Sequence, residues 1–72
     1  MRTFSGTALR AQRVRSGLSV AELAARTGRS AWTLYDYEAG RAQPPIRVAT
    51  ALADALGLRL DQLLARAEMA AA

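Results

Sequence analysis

An all-α fold of five short helices is what this sequence predicts, and three observations carry the prediction. Serines stand where helices would begin, at Ser5, Ser19 and Ser30, and glycines stand where they would end, at Gly17, Gly28, Gly40 and Gly57. Between them apolar residues recur at three- and four-residue spacing, with no alternating stretch that would make a strand. At 72 residues the chain makes one domain over 1–72, with a core expected over 7–67 and frayed termini. A chain near this size buries only about 60% of its unfolded surface. It contains no cysteine, so apolar packing alone must hold it together, which suits a reducing cytoplasm. The opening M-R-T-F-S-G has one charge and no apolar stretch behind it, and no segment approaches the roughly 20 apolar residues of a membrane span. Neither export nor membrane insertion is expected.

Each element has its own local reason. Ser5 or Thr7 caps a first helix running to about Ser16, after which Gly17 supplies a left-handed residue and Leu18 folds back. Its amphipathic pattern is weak, because Arg13 shares a stripe with Leu9 and Ser16. Ser19 and Glu22 form a capping box at the start of the second helix, whose buried face is Val20, Leu23, Ala24 and Thr27. Gly28 ends it with the positive φ of a tight turn, and Ala24, four residues earlier, is small enough for two helices to cross closely. Ser30 caps a third helix that Gly40 stops. Two stripes compete on it, Ala31, Leu34, Tyr37 and Glu38 against Trp32, Tyr35, Asp36 and Ala39, and periodicity does not choose between them. After a two-proline linker, a fourth helix from Pro45 to about Leu56 turns Ile46, Ala49, Leu52, Ala53 and Leu56 inward. Leu60, Leu63 and Leu64 predict the inner side of a fifth, reaching about Ala67.

Two helix starts about a dozen residues apart with one turn glycine between them read as a helix-turn-helix, a unit that lays its second helix against DNA base edges. The net charge of +4 is carried entirely by arginine, since the chain has no lysine. Residues 1–18 hold Arg2, Arg10, Arg13 and Arg15 and no acid, so the basic end is the N-terminal one. Forked guanidinium donors suit phosphate, although charge by itself speaks of solubility as readily as of nucleic acid. With no histidine or cysteine, six acids scattered among arginines, and no glycine-rich phosphate loop, neither catalysis nor a metal or cofactor is expected.

From about Leu9 to Leu64 the chain resembles the phage-repressor helix-turn-helix family, the lambda repressor and Cro type also called XRE. The likeness rests on G-L-S-V-A-E-L-A at the second helix, the turn glycine Gly28, Leu34 and Tyr37, Y-E-A-G closing the third helix, and A-L-A-D-A-L-G-L-R-L-D-Q-L-L near the end. What the resemblance implies is a five-helix lambda-repressor-like domain that regulates transcription by binding double-stranded DNA, its third helix in the major groove. It turns Leu34 and Tyr37 inward and carries the base-reading positions onto Ala31, Trp32 and Asp36, flanked by Ser30 and Tyr35. Ala31 and Trp32 suit thymine methyl groups, the Tyr35 hydroxyl suits a base or phosphate, and an ionised Asp36 suits a cytosine amino group. No Arg, Asn or Gln lies on this face, so no operator sequence follows.

Phosphate contacts are expected from Ser19 and Val20 at the second helix's amino end, and from Arg29 and Arg41 on either side of the third. Where the family commonly has a phosphate-gripping glutamine, this chain has Val20, which leaves only its backbone amide for that role. The resemblance also pairs Arg13 with Glu38. Arg59 departs from the serine or threonine that usually caps the last helix, a loss of about 1 kcal/mol if nothing replaces it. A homodimer on a palindromic site is implied, with Leu60, Leu63, Leu64 and Met69 as interface or, alternatively, as monomer core. The exposed aromatics also fit a protein partner, as in an antitoxin or partner-dependent regulator using the same fold.

Overall fold

The computed structural model describes residues 2–66. Its elements in order are β1 (Arg2–Phe4), α1 (Gly6–Arg15), α2 (Val20–Thr27), α3 (Ala31–Ala39), α4 (Ile46–Ala55), a 3-10 turn (Leu60–Leu63) and β2 (Leu64–Arg66). Among the described residues the α-helices are therefore four, and where the fifth was expected stand the 3-10 turn and a strand. β2 pairs antiparallel with β1, Arg2 opposite Arg66, Thr3 opposite Ala65 and Phe4 opposite Leu64. The physical reason is long-range. Leu60 and Leu63, three apart, stack on one side of a 3-10 turn as well as of an α-helix. No side chain caps this turn as a serine would, although Gln62 Oε1 accepts from the Arg59 amide at 3.0 Å. The N-terminal segment then offers a backbone partner, and strand pairing overrides the helical pattern.

This pairing moves the boundary of the core. Phe4, placed among frayed residues by the sequence, is buried and meets Tyr37 edge-on with ring centroids 6.4 Å apart. Leu9, Leu23, Leu34, Leu52 and Leu63 are wholly enclosed around it. Leu63 is thus monomer core and unavailable to a subunit interface, while Leu60 and Leu64 are half-buried against the same core. Met69 lies outside the described residues. On α4 the inward residues are Val48, Ala49, Leu52 and Ala53, whereas Ile46 is exposed. At about 100° per residue, Ile46 stands a quarter-turn from the centre of that stripe and at the helix's first turn, with nothing to cover it.

The local signals for α1 to α3 act as their chemistry demands. Ser5 Oγ accepts from the Ala8 amide, and Gly28 takes φ +70° at the α2–α3 turn. The capping box of α2 is closed at both ends: Ser19 Oγ accepts from the Glu22 amide at 3.0 Å and Glu22 Oε1 accepts from the Ser19 amide at 2.8 Å. These bonds with Ser19 hold the Glu22 carboxyl below its ordinary value of 4.5. A depressed carboxylate contributes stability above its unfolded pKa and loses it as the pH falls through the folded one. Glu22→Ala should therefore melt below the parent at neutral pH, and that gap should close as the pH is lowered past 4.5. Melting curves of both chains between pH 7 and pH 3 check this, and a gap independent of pH would refute it.

Candidate nucleic-acid interface

Helix α3 carries the candidate surface, and its orientation follows from which side chains the core takes. Leu34 and Tyr37 point inward, which leaves Trp32 77% and Tyr35 54% exposed on the outer side. The choice between the two stripes, open to periodicity, is therefore made by packing. Of the other residues at the base-reading positions, Ser30 is exposed and Ala31 and Asp36 are half-buried. Ser30 Oγ accepts from the Thr33 amide at 3.1 Å, so its oxygen is already engaged in starting the helix.

Two anchors hold α3 at its angle. Arg13 on α1 donates through Nε to Glu38 Oε2 at 2.6 Å and through Nη2 to Oε1 at 3.2 Å, while Nη1 reaches the Leu18 carbonyl oxygen at 2.8 Å. Both side chains are nearly enclosed, 12% and 6% exposed. The Glu38 bond raises the Arg13 pKa above its ordinary value, so the guanidinium stays charged. The second anchor is a close approach that sequence reasoning missed. At Gly6 the first turn of α1 lies directly on the carbonyl oxygens of Tyr37 and Glu38, at the carboxyl end of α3. The only signal for it was a glycine just inside a helix, where alanine would have suited the helix better.

The residues expected at phosphate are spread over the amino ends of α2 and α3 and the segment after α3. Ser19 and Arg29 are exposed, and the Val20 side chain is buried, so that position offers a backbone amide alone. Arg41 is 65% exposed and donates through Nε to Asp36 Oδ1 at 2.9 Å. Expected to have separate tasks, one at a base and one at a phosphate, these two residues are joined in the structure. The link arises because the chain reverses at Gly40, where the Arg41 amide also donates to the Asp36 carbonyl oxygen at 3.0 Å.

A capped helix, a one-glycine turn, and a second helix with its outer face free and its inner face tied to a scaffold define a helix-turn-helix domain of the phage-repressor type. Residues 6–67 match the family described as Helix-turn-helix domain. The chain belongs to that family. Among solved structures it is similar to ClgR, the clp gene regulator of Corynebacterium glutamicum, at TM-score 0.78 and 29% identity over 81% of this chain and 62% of that one. A second structure of that regulator gives TM-score 0.77 and 32% identity, over 81% and 76% of the two chains. SinR in its complex with SinI shares the fold at TM-score 0.76 and 24% identity, over 81% and 57%. The chain thus spans less than two thirds of the first of these and of SinR. No curated protein matches it. Among the described residues no helix is long and apolar enough to cross a membrane.

Proposed function

We propose that this protein is a sequence-specific regulator of transcription that binds double-stranded DNA with α3 in the major groove, as a homodimer on a palindromic site. The observation that carries this reading is the outward face of α3. Trp32 and Tyr35, 77% and 54% exposed, form a contiguous aromatic patch of the kind that marks a binding surface, and it lies on the helix that the motif presents to a groove. Ser30, Ala31, Trp32, Tyr35 and Asp36 are the base-facing set, with methyl and ring contacts to thymine and an acceptor for cytosine. Ser19, the Val20 amide, Arg29 and Arg41 are the phosphate contacts. Two copies related by a twofold axis would place their α3 helices in successive major grooves about 34 Å apart. Leu60, Leu64 and Met69 are the proposed contact between copies, Leu63 being taken by the core.

The same exposed rings support a second reading, in which the face holds a protein. Selection of bound sequences from random duplex DNA, repeated at two salt concentrations, reports site, symmetry and specificity together. An enriched palindrome is the expected result, and no enrichment at low salt would overturn the regulator reading. Trp32→Ala should then lose sequence preference while keeping its salt slope, because a ring reads bases and neutralises no phosphate. Retention of the full preference would assign the ring to a protein contact instead.

A further inference from the structure

Beside the outer face of α3 lies a cleft of about 390 Å³, lined by Arg10 of α1, by Trp32, Tyr35, Glu38 and Ala39 of α3, and by Arg41 beyond it. Its two rings are exposed, and an arginine comes to it from each of two different segments. Its one lining acid is neutralised, since both Glu38 oxygens accept from Arg13. Asp36 is likewise committed to Arg41. Of the charged residues lining the cleft, Arg10 is the one with no ion-pair partner among the described residues, which leaves the cleft with a net positive charge.

We propose that this cleft is an anchoring site for the DNA backbone, in which Arg10 and Arg41 clamp one sugar–phosphate strand from opposite sides and Asp36 is the positioning residue that fixes Arg41. The inference rests on the proposed DNA-binding function and adds to it a phosphate contact, Arg10, and a role for the acid on α3. The charge balance selects the occupant. A phosphodiester is a compact anion with an apolar sugar attached, and the cleft offers forked donors beside apolar ring faces. The strand it holds is the one flanking the groove that α3 enters, because Trp32 and Tyr35 lie both in the cleft and on the groove-facing side.

Fixing Arg41 matters because a free arginine loses side-chain entropy when it grips a phosphate. With Nε bound to Asp36, part of that ordering is done before DNA arrives, and both Nη groups stay available to the anion. An acid beside DNA would by charge alone weaken binding. Here its removal should weaken binding further, and this sign separates positioning from simple repulsion.

The test is fluorescence anisotropy of the full chain with the duplex that selection enriches, titrated from low to moderate salt. Each phosphate contact contributes about 0.9 to the slope of log affinity against log salt, roughly 5- to 10-fold in affinity near 0.1 M. Arg10→Ala should lose about that slope and affinity, and Arg10→Lys should keep the slope. Asp36→Ala should bind more weakly than the parent, Asp36→Asn should recover most of the loss by keeping an acceptor for Nε, and Asp36→Ala should cost less affinity in an Arg41→Ala background than in the parent, because the positioning part of its effect needs Arg41. Circular dichroism melts confirm that each variant is folded. An unchanged slope for Arg10→Ala, or tighter binding by Asp36→Ala, overturns the clamp while leaving the regulator reading intact. Failure of the parent to bind any duplex removes both. If duplex affinity survives Arg10→Ala while capture of a polyglutamate peptide is lost, the cleft belongs to an acidic protein segment and the proposal fails.

Discussion

Glu38→Ala is expected to cost about 3–5 kcal/mol of stability, because it strands a nearly enclosed guanidinium that now has two bonds to one carboxylate. A 72-residue domain has roughly 4–11 kcal/mol in total, so the variant should be close to unfolding at physiological temperature. In melting experiments the fall should exceed about 12 °C, at roughly 4–8 °C per kcal/mol for a domain of this size. The Leu18 carbonyl remains as one acceptor for Arg13 and does not compensate its charge. Duplex binding should fall along with stability, since the pair ties α3 to α1. The loss belongs to the unpaired charge and not to the pair as such. Arg13→Met combined with Glu38→Leu should therefore recover most of the melting temperature, because apolar replacement of both partners is often neutral or stabilising. An unchanged melt for Glu38→Ala would show that the pair carries no weight.

Gly6→Ala is the second large effect, and its sign is opposite to the usual one. Near the start of a helix this exchange ordinarily stabilises by about 0.4–1 kcal/mol through the unfolded state. Here the added methyl would overlap the Tyr37 carbonyl oxygen and stand 2.6 Å from that of Glu38. Both obstacles are backbone, so neither can rotate away. The helices must separate, at the upper end of the roughly 1–3 kcal/mol typical of overpacking. Separation would also lengthen the Arg13–Glu38 bonds and lift Phe4 from Tyr37, which pack at the same junction. Thermal melting checks the prediction, and a chain with Gly6→Ala that melts at or above the parent would show that α1 and α3 do not touch as described.

Helices α1 to α4 could be read from the chain because their signals are local. A serine hydroxyl bonds an amide three residues on, as Ser19 and Ser30 do, and a glycine at positive φ ends the helix, as Gly28 does. The C-terminal segment could not be read that way. Leu60, Leu63 and Leu64 fit a helix as well as a 3-10 turn, and the arbiter was a strand some sixty residues earlier in the chain. The candidate site divides in the same manner. Ser30, Ala31, Trp32, Tyr35 and Asp36 are set along α3 by its serine cap and turn glycine and singled out as base-facing by the family resemblance, whereas the arrival of Arg10 beside Trp32, and of Arg41 on Asp36, depends on how separate segments meet.

Caps, turn glycines and apolar spacing therefore suffice to specify four helices, the helix-turn-helix between α2 and α3, and which residues that second helix carries. Each of these rests on interactions spanning a few residues, and such interactions are encoded where they act. Which stripe of α3 faces water, where the core begins, that Leu63 belongs to it, and that two arginines share one cleft are outcomes of packing. They depend on contacts between segments far apart in the chain, where competing local patterns are nearly equal in energy and burial of apolar surface chooses among them.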